Sequence, residues 1–122
     1  MGTLSLKGVR RHDADSLRHA VVVHGTALTL RIRRHEGSPN RFSAVVSKKV
    51  EPQAVSRNKL KRRILGVARE VLSSDTSLAS LLPAVGLFFA KQQAASLSPE
   101  ELRREIGVLF RTARRRFDEH RS

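Results

Sequence analysis

The spacing of apolar positions changes several times along the chain, and each change marks an element. Asp13 and Asp15 precede Leu17, Ala20 and Val21, and Gly25 closes the stretch. Acids ahead of an apolar arc and a glycine behind it predict a short first helix, whose end is blurred by the run Val21 to Val23. From Ala27 the period becomes two: Leu28, Leu30 and Ile32 alternate with Thr29, Arg31 and Arg33. That is the pattern of a strand with one buried face and one wet, basic face. Gly37, Ser38, Pro39 and Asn40 make a turn, and Phe42 to Ser47 reads as the antiparallel partner strand of a hairpin.

After Pro52 the period is helical, with Leu60, Ile64, Val67, Ala68 and Val71 on one arc at about 100° per residue. Ser73 to Ser80, rich in serine, reads as a surface loop. Ala84 to Ala90 is an apolar run suited to a central strand buried on both faces. The last helix has the clearest start. Ser98 is the cap, Pro99 takes the first helical position, and Glu101 completes a capping box. Leu102, Ile106, Leu109, Phe110, Ala113 and Phe117 form its core face, while Arg103, Arg104, Arg111, Arg114 and Arg115 point elsewhere. Helix, strand, strand, helix, strand, helix is an α+β order: a two-layer sandwich with helices on a small, mainly antiparallel sheet. The whole of residues 1–122 is expected to form one domain, with residues 1–12 a flexible N-terminal segment.

Charge turns this fold into a functional question. Lys and Arg number 24 against 11 Asp and Glu, a formal +13, which calls for a polyanionic partner. With no cysteine there is no disulfide framework, thiol nucleophile or cysteine zinc site. The longest apolar run is far short of the roughly 20 residues of a membrane span, so no membrane partner is expected and a cytoplasmic location is. The acid pairs Asp13 with Asp15, Glu100 with Glu101, and Asp118 with Glu119 sit at predicted helix ends, where acids or frayed polar residues are expected. The five histidines show no i, i+4 pair on one helix face, and there is no phosphate-binding glycine loop or nucleophile elbow. No catalytic side chain, metal ligand or small-molecule substrate is therefore assigned. If the chain takes part in catalysis, the reactive groups belong to something else.

The informative stretch is Ser47-Lys48-Lys49-Val50, then Ala54-Val55, then Arg57-Asn58-Lys59-Leu60-Lys61-Arg62-Arg63. Five of the seven residues from Arg57 to Arg63 are cationic and none is acidic. On a helical wheel Asn58, Lys59, Lys61, Arg62 and Arg63 fill the solvent side, and Arg57 lies at the rim of the buried arc. Like charges without interspersed acids repel unless an anion binds. Asn58 adds a paired donor and acceptor, and arginine adds a planar fork suited to phosphate.

At these residues the sequence resembles the protein subunit of bacterial ribonuclease P, matching that family's arginine-asparagine-arginine signature with Lys59 in the third place. The resemblance continues through Phe88-Phe89-Ala90-Lys91 and Leu97-Ser98-Pro99-Glu100-Glu101-Leu102, covering roughly residues 42 to 117. It implies helices on a mixed sheet, with the basic helix in a left-handed βαβ crossover, contrary to the usual hand. It also implies binding to the catalytic RNA subunit and to precursor tRNA, and assistance in removing the 5′ leader. The RNA, with magnesium bound to it, would carry out the hydrolysis. Carried over by position, Lys48, Lys49, Arg57, Asn58, Lys59, Lys61 and Arg62 would face RNA, with Arg63 in the same cluster and Lys91 at the end of the last strand. The chain departs from the family pattern at Leu65, where a basic residue is usual, and in having no Tyr or Trp for a leader-binding cleft. Two other readings use the same charge: a ribosomal or other structured-RNA-binding protein with no part in cleavage, and a nucleoid or membrane-surface protein lying on its arginine-rich last helix.

Overall fold

The computed structural model describes residues 8–9, 17–37 and 39–119. Its strands are β1 (Val21–His24), β2 (Leu28–Arg34), β3 (Arg41–Val45) and β4 (Ala84–Ala90), and its helices α1 (Ala54–Ser74) and α2 (Pro99–Glu119). Short 3-10 turns occupy Leu17–His19, Thr76–Leu81 and Gln92–Ser96. The sheet order is β1-β2-β4-β3, with β1–β2 and β2–β4 antiparallel and β3–β4 parallel. Both helices pack on one face of this mixed sheet, α1 over β3 and α2 over β1 and β2. The expected α+β class with two layers is the one observed.

Two local expectations are corrected. The hairpin partner of β2 is β1, and β3 does not pair with β2, because β4 lies between them. Alternation alone shows which residues face inward and leaves the partner open. The segment after β2 is held across the start of β4: His35 N donates to Pro83 O at 2.9 Å, and Ala84 N donates to Asn40 Oδ1 at 3.0 Å. Six residues easily span the roughly 10 Å of two strand spacings, so the turn skips a strand. The second correction concerns the first helix. Asp13 and Asp15 lie outside the described residues; the described part is a single 3-10 turn at Leu17–His19, followed at once by β1. Three consecutive valines favour a pleated strand. Gly25 is thus no helix stop but the β1–β2 turn, its N–H donating to Leu28 O at 2.7 Å. The serine-rich loop is also more ordered than expected, since Leu78 and Leu81 in its 3-10 turn are fully buried. Of the N-terminal segment, Gly8 and Val9 are described: Val9 N donates to Ser43 Oγ at 2.9 Å and Gly8 O accepts from Arg41 Nη1 at 3.2 Å. Its other residues up to His12 lie outside the described ones.

The core follows the patterns read from the sequence. Leu28, Leu30 and Ile32 on β2 meet Phe42 and Ala44 on β3, Phe88 on β4, Leu60, Ile64 and Val67 on α1, and Leu102, Ile106 and Phe110 on α2. The capping box of α2 is formed as expected, with Glu101 N donating to Ser98 Oγ at 3.1 Å and Ser98 N donating to Glu101 Oε1 at 2.9 Å. The bond from the Ser98 N–H holds the Glu101 carboxyl below the usual carboxylate range, with help from the serine hydroxyl.

Gly86 is where β4 meets β3 most closely. It lies opposite Phe42, and a Cβ there would stand 2.5 Å from a carbon of the Phe42 ring. Gly66 on α1 is the opposite case, with open space where its Cβ would be. Gly86→Ala is expected to cost about 1–3 kcal/mol by overpacking, and Gly66→Ala to add about 0.5–1 kcal/mol through helix propensity. Urea unfolding of the two variants checks this; shifts of the same sign would contradict it.

Candidate nucleic-acid interface

The parallel pairing of β3 with β4 assembles the site. Val45 lies opposite Phe89, so the chain leaves both strands at the same end of the sheet, and Leu28 opposite Ala90 places the β1–β2 turn there as well. The connector at residues 46–53, the start of α1 and Lys91 therefore share one end of the molecule.

In the connector, Lys48 and Lys49 are exposed on a turn closed by Val50 N and Glu51 N, which both donate to Ser47 O at 3.1 Å. Arg57, in the first turn of α1, folds back over it: its Nη1 donates to Pro52 O at 2.7 Å and to Glu51 O at 3.1 Å. Its rim position on the wheel is thus used to fasten the connector that carries the two lysines. Asn58, Lys59, Arg62 and Arg63 are exposed and Lys61 is half-buried. Lys59 and Arg63, one turn apart, border a shallow depression with Glu51, Ser56 and Ala95; Lys61, Asn58 and Arg62 take the other flank. Among the described residues, no acid pairs with Lys48, Lys49, Lys59, Lys61, Arg62 or Arg63. This end of the molecule presents uncompensated positive charge to solvent.

Lys91 is placed differently. Its ammonium donates to Gly25 O at 2.6 Å, its backbone N–H donates to Ala27 O at 2.8 Å, and the Glu105 carboxylate accepts from Ala27 N at 2.8 and 3.1 Å. Lys91 and Glu105 together clamp the β1–β2 turn, and the ammonium, half-buried, is occupied inside the protein.

The sheet face turned away from the helices was only partly foreseen. Strand parity and register set Val22, Arg31, Leu87 and Ser43 in one row, and His24, Thr29, Phe89 and Val45 in the next. The basic wet face expected of β2 is there, but Arg31 Nη2 donates to Leu17 O at 3.1 Å and Arg41 Nη1 donates to Gly8 O. Those arginines hold N-terminal residues across the sheet. The row containing Phe89 lies beyond them, at the connector end. Phe42, Phe88 and Phe110 are buried and Phe117 packs against the core, so Phe89 is the one phenylalanine on this face. Sequence reading missed it because Ala84 to Ala90 is apolar throughout; counting alternation from Phe88 would have found it.

Among the described residues no group of three His, Asp or Glu side chains could hold a metal ion, and no helix is long and apolar enough to cross a membrane. The arrangement can bind phosphate, stack on an unpaired base and orient a strand.

The family model described as Ribonuclease P matches residues 10–114. The Staphylococcus aureus RNase P protein has a similar structure, with a TM-score of 0.70 at 19% identity over 88% of this chain and 94% of that one. The RNase P protein from Thermotoga maritima gives a TM-score of 0.66 at 18% identity over 86% and 96%. No curated protein matches significantly by sequence.

Proposed function

The chain belongs to the Ribonuclease P family, the protein subunits of the endoribonuclease that removes the 5′ leader from precursor tRNA, and from that premise we propose which of its surfaces meet RNA. Lys48 and Lys49 on the connector, with Asn58, Lys59, Lys61, Arg62 and Arg63 on the first turns of α1, grip the catalytic RNA subunit. The observation that carries this reading is their exposure at one end of the molecule without any acid partner among the described residues. Arg57 acts as a positioning residue, because its guanidinium is committed to the connector carbonyls. The row His24, Thr29, Phe89 and Val45 receives the single-stranded leader beside that grip, Phe89 offering a ring on which one base can stack.

In this family the RNA performs the hydrolysis. Magnesium belongs with that RNA, and no step is assigned to a metal held by this chain. What the protein supplies is charge. Two polyanions, the RNA subunit and precursor tRNA, must approach closely, and a cationic surface between them lowers the repulsion that magnesium would otherwise have to screen. The cytoplasm, where precursor tRNA is matured, is its place of action.

The direct test is reconstitution with the cognate RNA subunit and a precursor tRNA at low magnesium. Leader cleavage is expected to rise well above that of RNA alone, and no gain would overturn the reading. Lys61→Ala and Arg62→Ala should each weaken RNA binding and flatten its dependence on log salt by about 0.9, the share of one phosphate contact. Titrations at several salt concentrations measure it, and unchanged slopes would mean that this face is merely solvated.

A further inference from the structure

The arginine-rich side of α2 takes no part in the surfaces assigned above. Six of the 21 residues of α2 are arginine and none is lysine. Three of the six are bound within the protein: Arg103 Nη2 pairs with Glu70 at 2.7 Å, Arg114 Nη1 donates to Ser77 O at 3.1 Å, and Arg116 donates to Val22 O. The other three, Arg104, Arg111 and Arg115, fall within about 40° of one another on the helical wheel, directly opposite the buried arc. Arg104 and Arg115 are exposed and make no hydrogen bond or ion pair to a described residue, although Glu101 lies within electrostatic reach of Arg104. Arg111 reaches only to 3.9 Å from Asp75, a carboxylate already engaged by the Ser77 hydroxyl and N–H.

Gly107 contributes to this stripe. A Cβ there would stand 3.0 Å from Arg111 Nη1, so the absent side chain leaves room for the guanidinium to lie along the helix. The three arginines thus share one stripe over about 16 Å of helix, their backbone positions at axial steps of roughly 10.5 and 6 Å. Planar forks in a row fit successive phosphates of a nucleic-acid backbone. A lipid surface fits poorly. The apolar residues of α2 that could enter a bilayer, Leu102, Ile106, Leu109, Phe110 and Ala113, are all buried in the core, leaving only Val108 exposed along the stripe.

We propose that Arg104, Arg111 and Arg115 form a second docking surface for the phosphate backbone of the RNA subunit, at a segment separate from the one held by α1. The proposal rests on the reading that the α1 cluster binds that RNA. Both surfaces belong to the helical layer, so one large RNA can reach both. They are separated along α1, where Glu70, paired to Arg103, follows Arg63 by about 10 Å of helix. The subunit then works as a brace between two RNA segments.

Because the chain has no cysteine, a single one can carry a tethered iron–EDTA group that cuts nearby RNA. Val108→Cys places it within the stripe, and Val55→Cys, exposed on the first turn of α1, places it beside the first cluster. With reconstituted RNA subunit, the two probes are expected to cut at two different segments. Cutting from position 55 without cutting from position 108 overturns this proposal alone; cutting from neither overturns the reading of α1 as well. Cutting from position 108 only in bound precursor tRNA overturns the assignment to the RNA subunit. In the variant with Arg104, Arg111 and Arg115 all replaced by Gln, the fall in RNA affinity between 50 and 200 mM salt is expected to shrink by about 40-fold, three contacts at about 0.9 each. An unchanged salt dependence, or substitution that abolishes binding to phosphatidylglycerol vesicles while leaving RNA binding intact, overturns it. Circular dichroism melts of the same variant, expected to match the parent, separate lost contacts from lost fold.

Discussion

Replacing Lys59, Lys61, Arg62 and Arg63 together by alanine is expected to remove a large share of the salt sensitivity of RNA binding. Each phosphate contact contributes about 0.9 to the slope of log affinity against log salt, so four contribute about 3.6. Between 50 and 200 mM salt the parent protein should therefore lose about 150-fold more affinity than the variant. At low salt the variant should bind far more weakly, and its stimulation of leader cleavage at low magnesium should be lost with the binding. None of the four is fully buried or carries an ion pair to a described acid. The substitutions therefore remove mutual repulsion and leave the core alone, and stability should hold or rise slightly. Filter-binding titrations at four or five salt concentrations, alongside a thermal melt, test both halves. A variant that loses binding with an unchanged slope would show that the residues act through shape and not through counterion release.

The second large effect concerns folding. Phe110 on α2 reaches the sheet at a three-ring cluster, its centroid 6.0 Å from that of Phe42 and 5.7 Å from that of Phe88, edge-on to both. Phe42 and Phe88 are themselves 6.2 Å apart, and all three rings are buried. Phe110→Ala removes the knob that joins α2 to two strands and leaves a cavity, at an expected cost of about 3–5 kcal/mol. A domain of this size has about 5–15 kcal/mol in all, so the variant should lose a large fraction of its stability. Phe117→Ala, about two turns along the same helix face but only half-buried, should cost much less. Urea unfolding of the pair measures the contrast. Equal losses would mean that the cluster does not join the layers as described.

These two expectations differ in how far they could be read before the structure. The cationic run Arg57 to Arg63 is contiguous, so its surface lies within two turns of one helix and needs only the helical period to be drawn. The capping box at Ser98 and Glu101 is equally local, and so is the core arc of α2. Strand pairing is not local. Phe42 to Ser47 has the alternation of a strand but no signal for its neighbour, and the nearest candidate in sequence, β2, was the wrong one. The correct neighbour, β4, comes some 40 residues later. The first helix failed for a different reason: Val21 to Val23 fits either a helical arc or a strand, and only the ladder with β2 resolves it.

For the interface the same division holds. Charge, its lack of acids and the family signature were legible in the residues themselves. The tasks of individual cations were not. Lys91 looks in sequence like one more RNA contact, yet its ammonium is bound to Gly25 O. Arg57 looks like the head of the cluster, yet it ties down the connector. The six arginines of α2 look alike, yet three hold the fold and three face outward.

The sequence by itself determined where helices and strands could form, which face of each is apolar, and that one segment carries charge suited to an RNA backbone, because these depend on residue type and on spacing within a few turns. The tertiary structure decided which strands are neighbours, that connector, helix start and Phe89 row meet at one end of the sheet, and which cations remain free. The reason is physical: a side chain's partner is set by what the fold brings within about 3 Å of its charged end, and those groups come from strands and turns far away along the chain.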